Sequence, residues 1–195
     1  RPQLDTTIKE DNPYSREVAY KLSCESAVLL KNEGALPLAK GGNVVLMGPR
    51  ADVIPCGGGS GAVDPLYSIS LYEGMKQLGE DFPVTLVADD YKSKAASKSL
   101  KDASAVVVSV GFDKHTEKED HDRTFALPEG QDDMIEYACS LNDKVIVVVY
   151  SGGAIDMSRW HDKVSAVIMG WYPGQEGGLA IARMIAGEIS PCGRL

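Results

Sequence analysis

The chain has 195 residues, of which 44% are hydrophobic and 25% are charged, which is typical of a folded globular protein and excludes a disordered or fibrous one. Its 28 acidic and 20 basic residues give a net charge of −8, which argues against an open nucleic-acid-binding surface. The sequence has no apolar run of about 18 residues and so predicts no membrane span. Residues 1–13 are polar and do not resemble a signal peptide, so the compartment stays open.

In chain order, helical patterns alternate with short apolar runs. The first pattern, residues 15–31, predicts a helix with Ser15 as its N-cap. Strands are predicted at 43–48, 84–87, 103–111, 144–150 and 164–170, and further helices at 68–79, 91–102, 128–141 and 175–186. Strands that are apolar on both faces and joined by helices are typical of a parallel sheet covered on both sides. We therefore predict an α/β fold, a three-layer flavodoxin-like sandwich with a mostly parallel sheet of about five strands.

Ligands of such sheets bind beyond the carboxyl ends of the strands. Four segments rich in glycine or polar residues follow predicted strands, at 48–65, 111–128, 151–160 and 170–178. Within the first, glycines 57–59 and 61 around Ser60 can turn tightly and offer backbone amides or a hydroxyl to a polar ligand. No Gly-Lys-Ser/Thr follows, so the segment is not a P-loop, and a nucleotide site is disfavoured. A plain connection remains the alternative.

The second segment contains residues 114–123, of which nine of ten can ionise. Composition alone favours a solvated loop, but the run follows the most apolar strand. Its four crowded carboxyl groups can raise one another's pKa, as a general acid requires. Asp122 and Arg123 can instead pair and fix the loop. His115 and His121 lack metal-ligand spacing, so we predict no metal site.

The remaining segments give weaker signals. Ser151 precedes two glycines, which is not the arrangement of a serine nucleophile elbow. Trp171 and Tyr172 follow the last strand and can stack on a sugar or pack against the sheet. The four cysteines are scattered without a CxxC pair, which favours buried free thiols and leaves one or two disulfides open.

Several stretches carry a specific pattern when taken together. They are Glu25-Ser-Ala-Val-Leu-Leu-Lys-Asn-Glu-Gly-Ala-Leu-Pro-Leu38, Gly48-Pro-Arg-Ala-Asp52 with Gly57-Gly-Gly-Ser-Gly61, residues 117–131 ending in Leu-Pro-Glu-Gly-Gln131, Gly170-Trp-Tyr-Pro-Gly-Gln-Glu-Gly-Gly178, and Pro191-Cys-Gly-Arg-Leu195. In this order and spacing the sequence resembles the C-terminal α/β sandwich domain of glycoside hydrolase family 3, the second domain of many β-glucosidases and β-xylosidases.

The resemblance implies a division of labour. A preceding (β/α)8 barrel would supply the nucleophilic Asp, and the sandwich would supply the general acid/base Glu from a loop that often reads Glu-x-Glu-Gly-x-Asp-Arg. Residues 117–123 match that loop, so Glu119 is the implied acid/base and Glu117 the second candidate, although an aspartate replaces the glycine at position 120. Ser60, Gly59 and Arg123 are the implied substrate-binding residues.

The implied whole enzyme is a retaining β-glycosidase that hydrolyses terminal β-D-glycosyl residues without a cofactor. Its expected partners are a β-linked glucoside, xyloside or oligosaccharide and the barrel, with neither nucleic acid nor membrane. We expect residues 1–13 to be a linker from the barrel and residues 14–195 to be the sandwich, truncated at its C-terminal end. Alone, this chain should be inactive and expose an apolar face. A non-catalytic carbohydrate-binding or interaction module of the same fold remains the alternative.

Overall fold

A six-stranded sheet forms the centre of the computed structural model, which describes Thr7, Lys9 and residues 11–195 except Asp89. The strands are β1 (Val28–Asn32), β2 (Val44–Met47), β3 (Val84–Val87), β4 (Ala105–Gly111), β5 (Val145–Tyr150) and β6 (Ala166–Met169). They lie in the order β1-β6-β5-β4-β2-β3, and only β1 runs antiparallel to its neighbour. The predicted mostly parallel sheet is confirmed, with six strands instead of about five.

The described residues form five α-helices, of which four cover the two faces of the sheet. The five are α1 (Pro13–Ser26), α2 (Leu71–Gln77), α3 (Lys94–Asp102), α4 (Gln131–Cys139) and α5 (Gly177–Ala186). One apolar core joins the sheet to α2 and α5, and a second joins its other face to α3 and α4. Strands β4 and β5 are buried along their whole length, as strands between two helical layers must be. The predicted three-layer sandwich is therefore confirmed.

The prediction of one helix over residues 15–31 is wrong. Helix α1 ends at Ser26, and Val28–Asn32 forms the edge strand β1, which pairs with β6. The Val-Leu-Leu run fits either structure, and pairing with β6 decides it because Ala27 and Val28 are buried there. The N-cap is Asn12, whose side chain accepts a hydrogen bond from the Ser15 backbone N–H at 2.9 Å, while Pro13 begins the helix.

Part of the predicted linker lies outside the described residues, namely positions 1–6, 8 and 10. All four cysteines are described, and all are free thiols. The preference for buried thiols is wrong, because three cysteines are only half-buried and Cys192 is exposed. No helix of the described part of the chain is long and apolar enough to cross a membrane.

Helices α2 and α5 cross at two glycines that let their backbones touch. A Cβ added to Gly74 would lie 2.4 Å from the carbonyl oxygen of Gly178, and one added to Gly178 would lie 2.2 Å from that of Ile69. The Gly178 N–H also donates to the Ile69 carbonyl oxygen at 3.1 Å. This contact fixes the start of α5 against the segment that leads into α2.

We expect Gly178→Ala to lower the free energy of unfolding by roughly 1–3 kcal/mol, because the new methyl group overlaps backbone that cannot rotate away. Helix propensity alone predicts the opposite sign, since alanine favours a helix over glycine. Urea denaturation measures the difference. Gly61→Ala is the matched control, because a Cβ at Gly61 meets no atom within 4 Å. Equal midpoints for Gly178→Ala and the unchanged protein would contradict the assigned contact.

Candidate functional site

The polar and glycine-rich loops meet at one edge of the sheet. Strands β2, β4, β5 and β6 are parallel, so their carboxyl ends lie side by side. The loop after β2 carries Ser60, the loop after β4 carries Glu117 and Glu119, the loop after β5 carries Gly152, and the loop after β6 carries Tyr172. Direct hydrogen bonds join all four loops, so the sheet brings together segments that are far apart in the sequence.

Glu119 and Ser60 are in direct contact at this edge. The backbone N–H of Ser60 donates to Glu119 Oε2 at 2.9 Å, and the Ser60 hydroxyl donates to the same oxygen. Glu119 is exposed, and its Oε1 accepts no hydrogen bond from the described residues. The Ser60 hydroxyl, and then the Ser60 N–H, hold the pKa of Glu119 below its ordinary value because both stabilise the charged carboxylate. The expectation of a raised pKa is therefore wrong for this carboxyl group in the chain as described.

The glycines before Ser60 make this contact possible. A Cβ on Gly58 would lie 2.5 Å from the carbonyl oxygen of Lys114, and one on Gly59 would lie 2.6 Å from the Cβ of Glu119. Gly59 also has a φ of +78°, a left-handed conformation that other residues rarely adopt. The glycine-rich loop is therefore packed against the acidic loop and is not a plain connection.

Glu117 lies at the centre of a group of polar contacts that it forms with Arg123, Gly152 and Tyr172. Its Oε1 is 2.9 Å from Arg123 Nε, while its Oε2 accepts from the Gly152 N–H at 2.9 Å and from the Tyr172 hydroxyl at 2.5 Å. Its backbone carbonyl accepts from the Gly58 N–H at 2.8 Å. The Glu117 side chain is only 19% exposed, whereas Glu119 is exposed.

Arg123 forms an ion pair with Glu117, and the alternative pairing of Asp122 with Arg123 is not formed among the described residues. Beyond this ion pair, Arg123 Nη1 donates to the Thr124 carbonyl at 3.1 Å and Nη2 to the Ala154 carbonyl at 2.7 Å. Its guanidinium group also stacks 5.0 Å from the centre of the Phe112 ring. Both terminal nitrogens thus donate within the domain, and a sugar contact by Arg123 stays a prediction.

The side chains of the two aromatic residues after β6, Trp171 and Tyr172, contact different parts of the domain. Trp171 has a left-handed φ of 56° and donates from Nε1 to the Ser26 carbonyl at the end of α1, at 3.0 Å. Tyr172 turns towards Glu117, and burial, followed by the hydrogen bond to that carboxylate, raises the pKa of its hydroxyl. Both rings are half-buried, so packing explains them without a ligand.

Two cavities flank these loops. One of about 420 Å³ lies beside the glycine-rich loop and is lined by Cys56, Val63 and the Tyr172 ring among others. A larger one of about 510 Å³ lies between the ends of β2 and β3 and the start of α4. Neither Ser60 nor Glu119 lines either cavity. Among the described residues, no group of three or more His, Cys, Asp or Glu side chains is placed to hold a metal ion.

Sequence reasoning missed Gly152 and Tyr172 as partners of Glu117. They are separated from it by 35 and 55 residues, and Gly152 uses only its backbone N–H. The one available signal was their position, because each follows the carboxyl end of a predicted strand.

Comparison with known proteins gives the same assignment from several directions. A family model described as "Glycosyl hydrolase family 3 C-terminal domain" matches residues 27–195. A probable exo-1,4-beta-xylosidase of Neosartorya fischeri is 35% identical over 95% of this chain, and a thermostable beta-glucosidase B of Acetivibrio thermocellus is 31% identical over 96%. The chain spans only 25% and 27% of the length of these two relatives.

Solved structures agree with the sequence relatives. A GH3 beta-glucosidase of Bifidobacterium adolescentis superposes with a TM-score of 0.82 at 27% identity, over 96% of this chain and 29% of that one. Beta-glucosidase 3B of Thermotoga neapolitana, in complex with glycerol, gives a TM-score of 0.79 at 27% identity, over 94% and 30% of the respective chains.

We expect Ser60→Ala to raise the pKa of Glu119 towards its ordinary value, because the variant loses the hydroxyl donor and keeps the backbone one. A pH titration of the Glu119 carboxyl carbon by NMR measures the change. The internal control is Asp156, whose pKa is lowered by Ser158 and should not move. An unchanged Glu119 titration would contradict the contact with the Ser60 hydroxyl.

Proposed function

This chain belongs to glycosyl hydrolase family 3, as its C-terminal domain, and from that premise we propose that it supplies the general acid/base of a retaining β-glycosidase. The whole enzyme would hydrolyse terminal β-D-glucosyl or β-D-xylosyl residues. Support for these sugars comes from the relatives, which include both a xylosidase and beta-glucosidases. A (β/α)8 barrel outside this chain would supply the nucleophile and most sugar contacts. Residues 1–13 would link that barrel to the sandwich.

We assign the acid/base role to Glu119, and its geometry is the observation that carries the proposal. The carboxyl group is exposed at the carboxyl edge of the sheet, and only Oε2 is occupied, by Ser60. Oε1 is therefore available to a glycosidic oxygen. Glu117, the other candidate, has both oxygens engaged within the domain.

The proposed hydrolysis has two steps. First, the protonated Glu119 gives its proton to the leaving glycosidic oxygen while the barrel carboxylate attacks the anomeric carbon. Second, the ionised Glu119 removes a proton from water as that water displaces the enzyme carboxylate. Ser60 and Gly59 would shape the sugar side of the loop.

Because the pKa of Glu119 is lowered in this domain, the barrel would have to raise it before Glu119 could act as an acid. At neutral pH a carboxyl group with a depressed pKa is ionised and cannot donate a proton. In retaining glycosidases the second carboxylate lies about 5–5.5 Å away, and its like charge together with loss of water raises the pKa of the acid. Docking of the barrel is therefore part of the activation of Glu119.

We expect Glu119→Gln in the full-length enzyme to lower the rate on an unactivated β-linked disaccharide by roughly 10²- to 10⁴-fold, because the leaving group loses its proton donor. Azide should restore turnover of an activated aryl β-glycoside and give the β-glycosyl azide. Steady-state assays on glucosides and xylosides, with product analysis, measure both effects.

The matched control is Asp120→Asn, which removes one negative charge from the same loop at an exposed side chain that pairs with Lys118. It should keep nearly full activity. Unchanged rates for Glu119→Gln would reject the assignment, and the same assay on Glu117→Gln would then show whether the neighbouring carboxyl group holds the role. Full activity in both variants would favour the non-catalytic carbohydrate-binding module.

A further inference from the structure

We propose that Glu117 and Tyr172 are positioning residues, which hold the loop after β4 so that Glu119 presents Oε1 to the scissile bond. This inference rests on the proposed function of Glu119. It assigns to Glu117 a role different from proton transfer, and it adds Tyr172, which no sequence motif singled out for this purpose.

The contacts of Glu117 converge from every neighbouring loop. Its backbone carbonyl binds the Gly58 N–H, two residues before Ser60, and its carboxylate binds Gly152 and Tyr172. The loops after β2, β5 and β6 are therefore all tied to the residue that lies two positions before Glu119. A shift of Glu117 moves both the acidic loop and the glycine-rich loop that carries the partner of Glu119.

Charge explains why a carboxylate can occupy this position. Arg123 lies 2.9 Å from Glu117 Oε1, and both side chains are less than one-fifth exposed. A half-buried carboxylate without such a partner would pay a desolvation cost. The ion pair and two further donors balance that cost, and they leave no free oxygen on Glu117 for a substrate proton.

The backbone conformation of Trp171 sets the direction of the Tyr172 side chain. Trp171 has a φ of 56°, which is rare for a residue with a side chain and persists only where contacts hold it. Two hydrogen bonds hold it. Trp171 Nε1 donates to the Ser26 carbonyl at 3.0 Å, and the Ser23 hydroxyl donates to the Pro173 carbonyl at 2.6 Å. Helix α1 thereby sets the turn that aims Tyr172 at Glu117.

The test compares variants of the full-length enzyme on two substrates, one with a poor leaving group and one with an activated aryl group. Tyr172→Phe removes one donor to Glu117 and keeps the ring. We expect kcat/KM on the disaccharide, which reports the first step, to fall by about 10- to 100-fold, as a displacement near 1 Å of a catalytic group can cause. The aryl glycoside needs little protonation in that step, so its kcat/KM should change by less than about threefold. Its kcat should fall where hydrolysis of the glycosyl-enzyme is rate-limiting, because Glu119 is also the general base, and azide should restore it.

A second variant perturbs the same carboxylate from another loop. A Cβ on Gly152 would lie 2.7 Å from Glu117 Oε1, so Gly152→Ala should displace Glu117 without altering its chemistry. Like Tyr172→Phe, this variant should lose far more kcat/KM on the disaccharide than on the aryl glycoside. The matched control is Tyr137→Phe, which removes a hydroxyl bonded to Ser97 at 2.8 Å and should affect neither substrate.

The outcomes separate this inference from the function on which it rests. A merely structural role would lower both kcat/KM values equally by reducing the folded fraction, and that result, or no loss at all, would overturn the inference. If Glu119→Gln shows the loss that depends on the leaving group but Tyr172→Phe does not, only the positioning role fails. If Glu117→Gln shows azide rescue and Glu119→Gln does not, Glu117 is the acid/base and both assignments fail.

Discussion

Burial of both faces of the parallel sheet is the constraint from which the site follows. Strands β4 and β5 are covered by helices along their whole length, so polar groups can emerge only where the strands end. The carboxyl ends of four parallel strands share one edge, and four loops meet there although they are distant in the sequence. Because a rigid sheet fixes where each loop starts, a few hydrogen bonds between the loops suffice to fix the carboxyl groups that they carry.

Two carboxyl groups separated by one residue experience different environments at that edge. Glu117 is half-buried with contacts to both carboxylate oxygens, while Glu119 is exposed and, within the described part of the chain, hydrogen-bonds through one oxygen to Ser60. A residue that must exchange protons needs a free oxygen, and a residue that must hold a loop needs its oxygens occupied. The exposed Lys118 lies between Glu117 and Glu119 in the chain. In the proposed enzyme, the negative charge of the barrel would oppose the stabilisation by Ser60 and bring Glu119 into its working range.

The layers of the fold could be predicted from the sequence, but the contacts between the loops could not. The valine-rich runs of β4 and β5 have no other stable place than a buried strand, and their prediction is confirmed. The Val28-Leu29-Leu30 run was assigned to a helix because local pattern cannot reveal a partner as distant as β6. Glu119 could be singled out through the family motif, whereas the bond of Glu117 to Gly152 could not, since a backbone N–H leaves no trace in residue type.

Strand β1 has a consequence for how the chain reaches its structure during synthesis. Its only partner in the sheet is β6, and most of the chain lies between them. A nascent chain therefore carries β1 as an unpaired edge, with apolar side chains, until nearly the whole domain has left the ribosome. The Gly193 N–H, which bonds the Ala27 carbonyl, closes the same region last. Completion of the sheet must then wait for β6, so a chain whose synthesis stops before β6 leaves β1 available to pair with another chain.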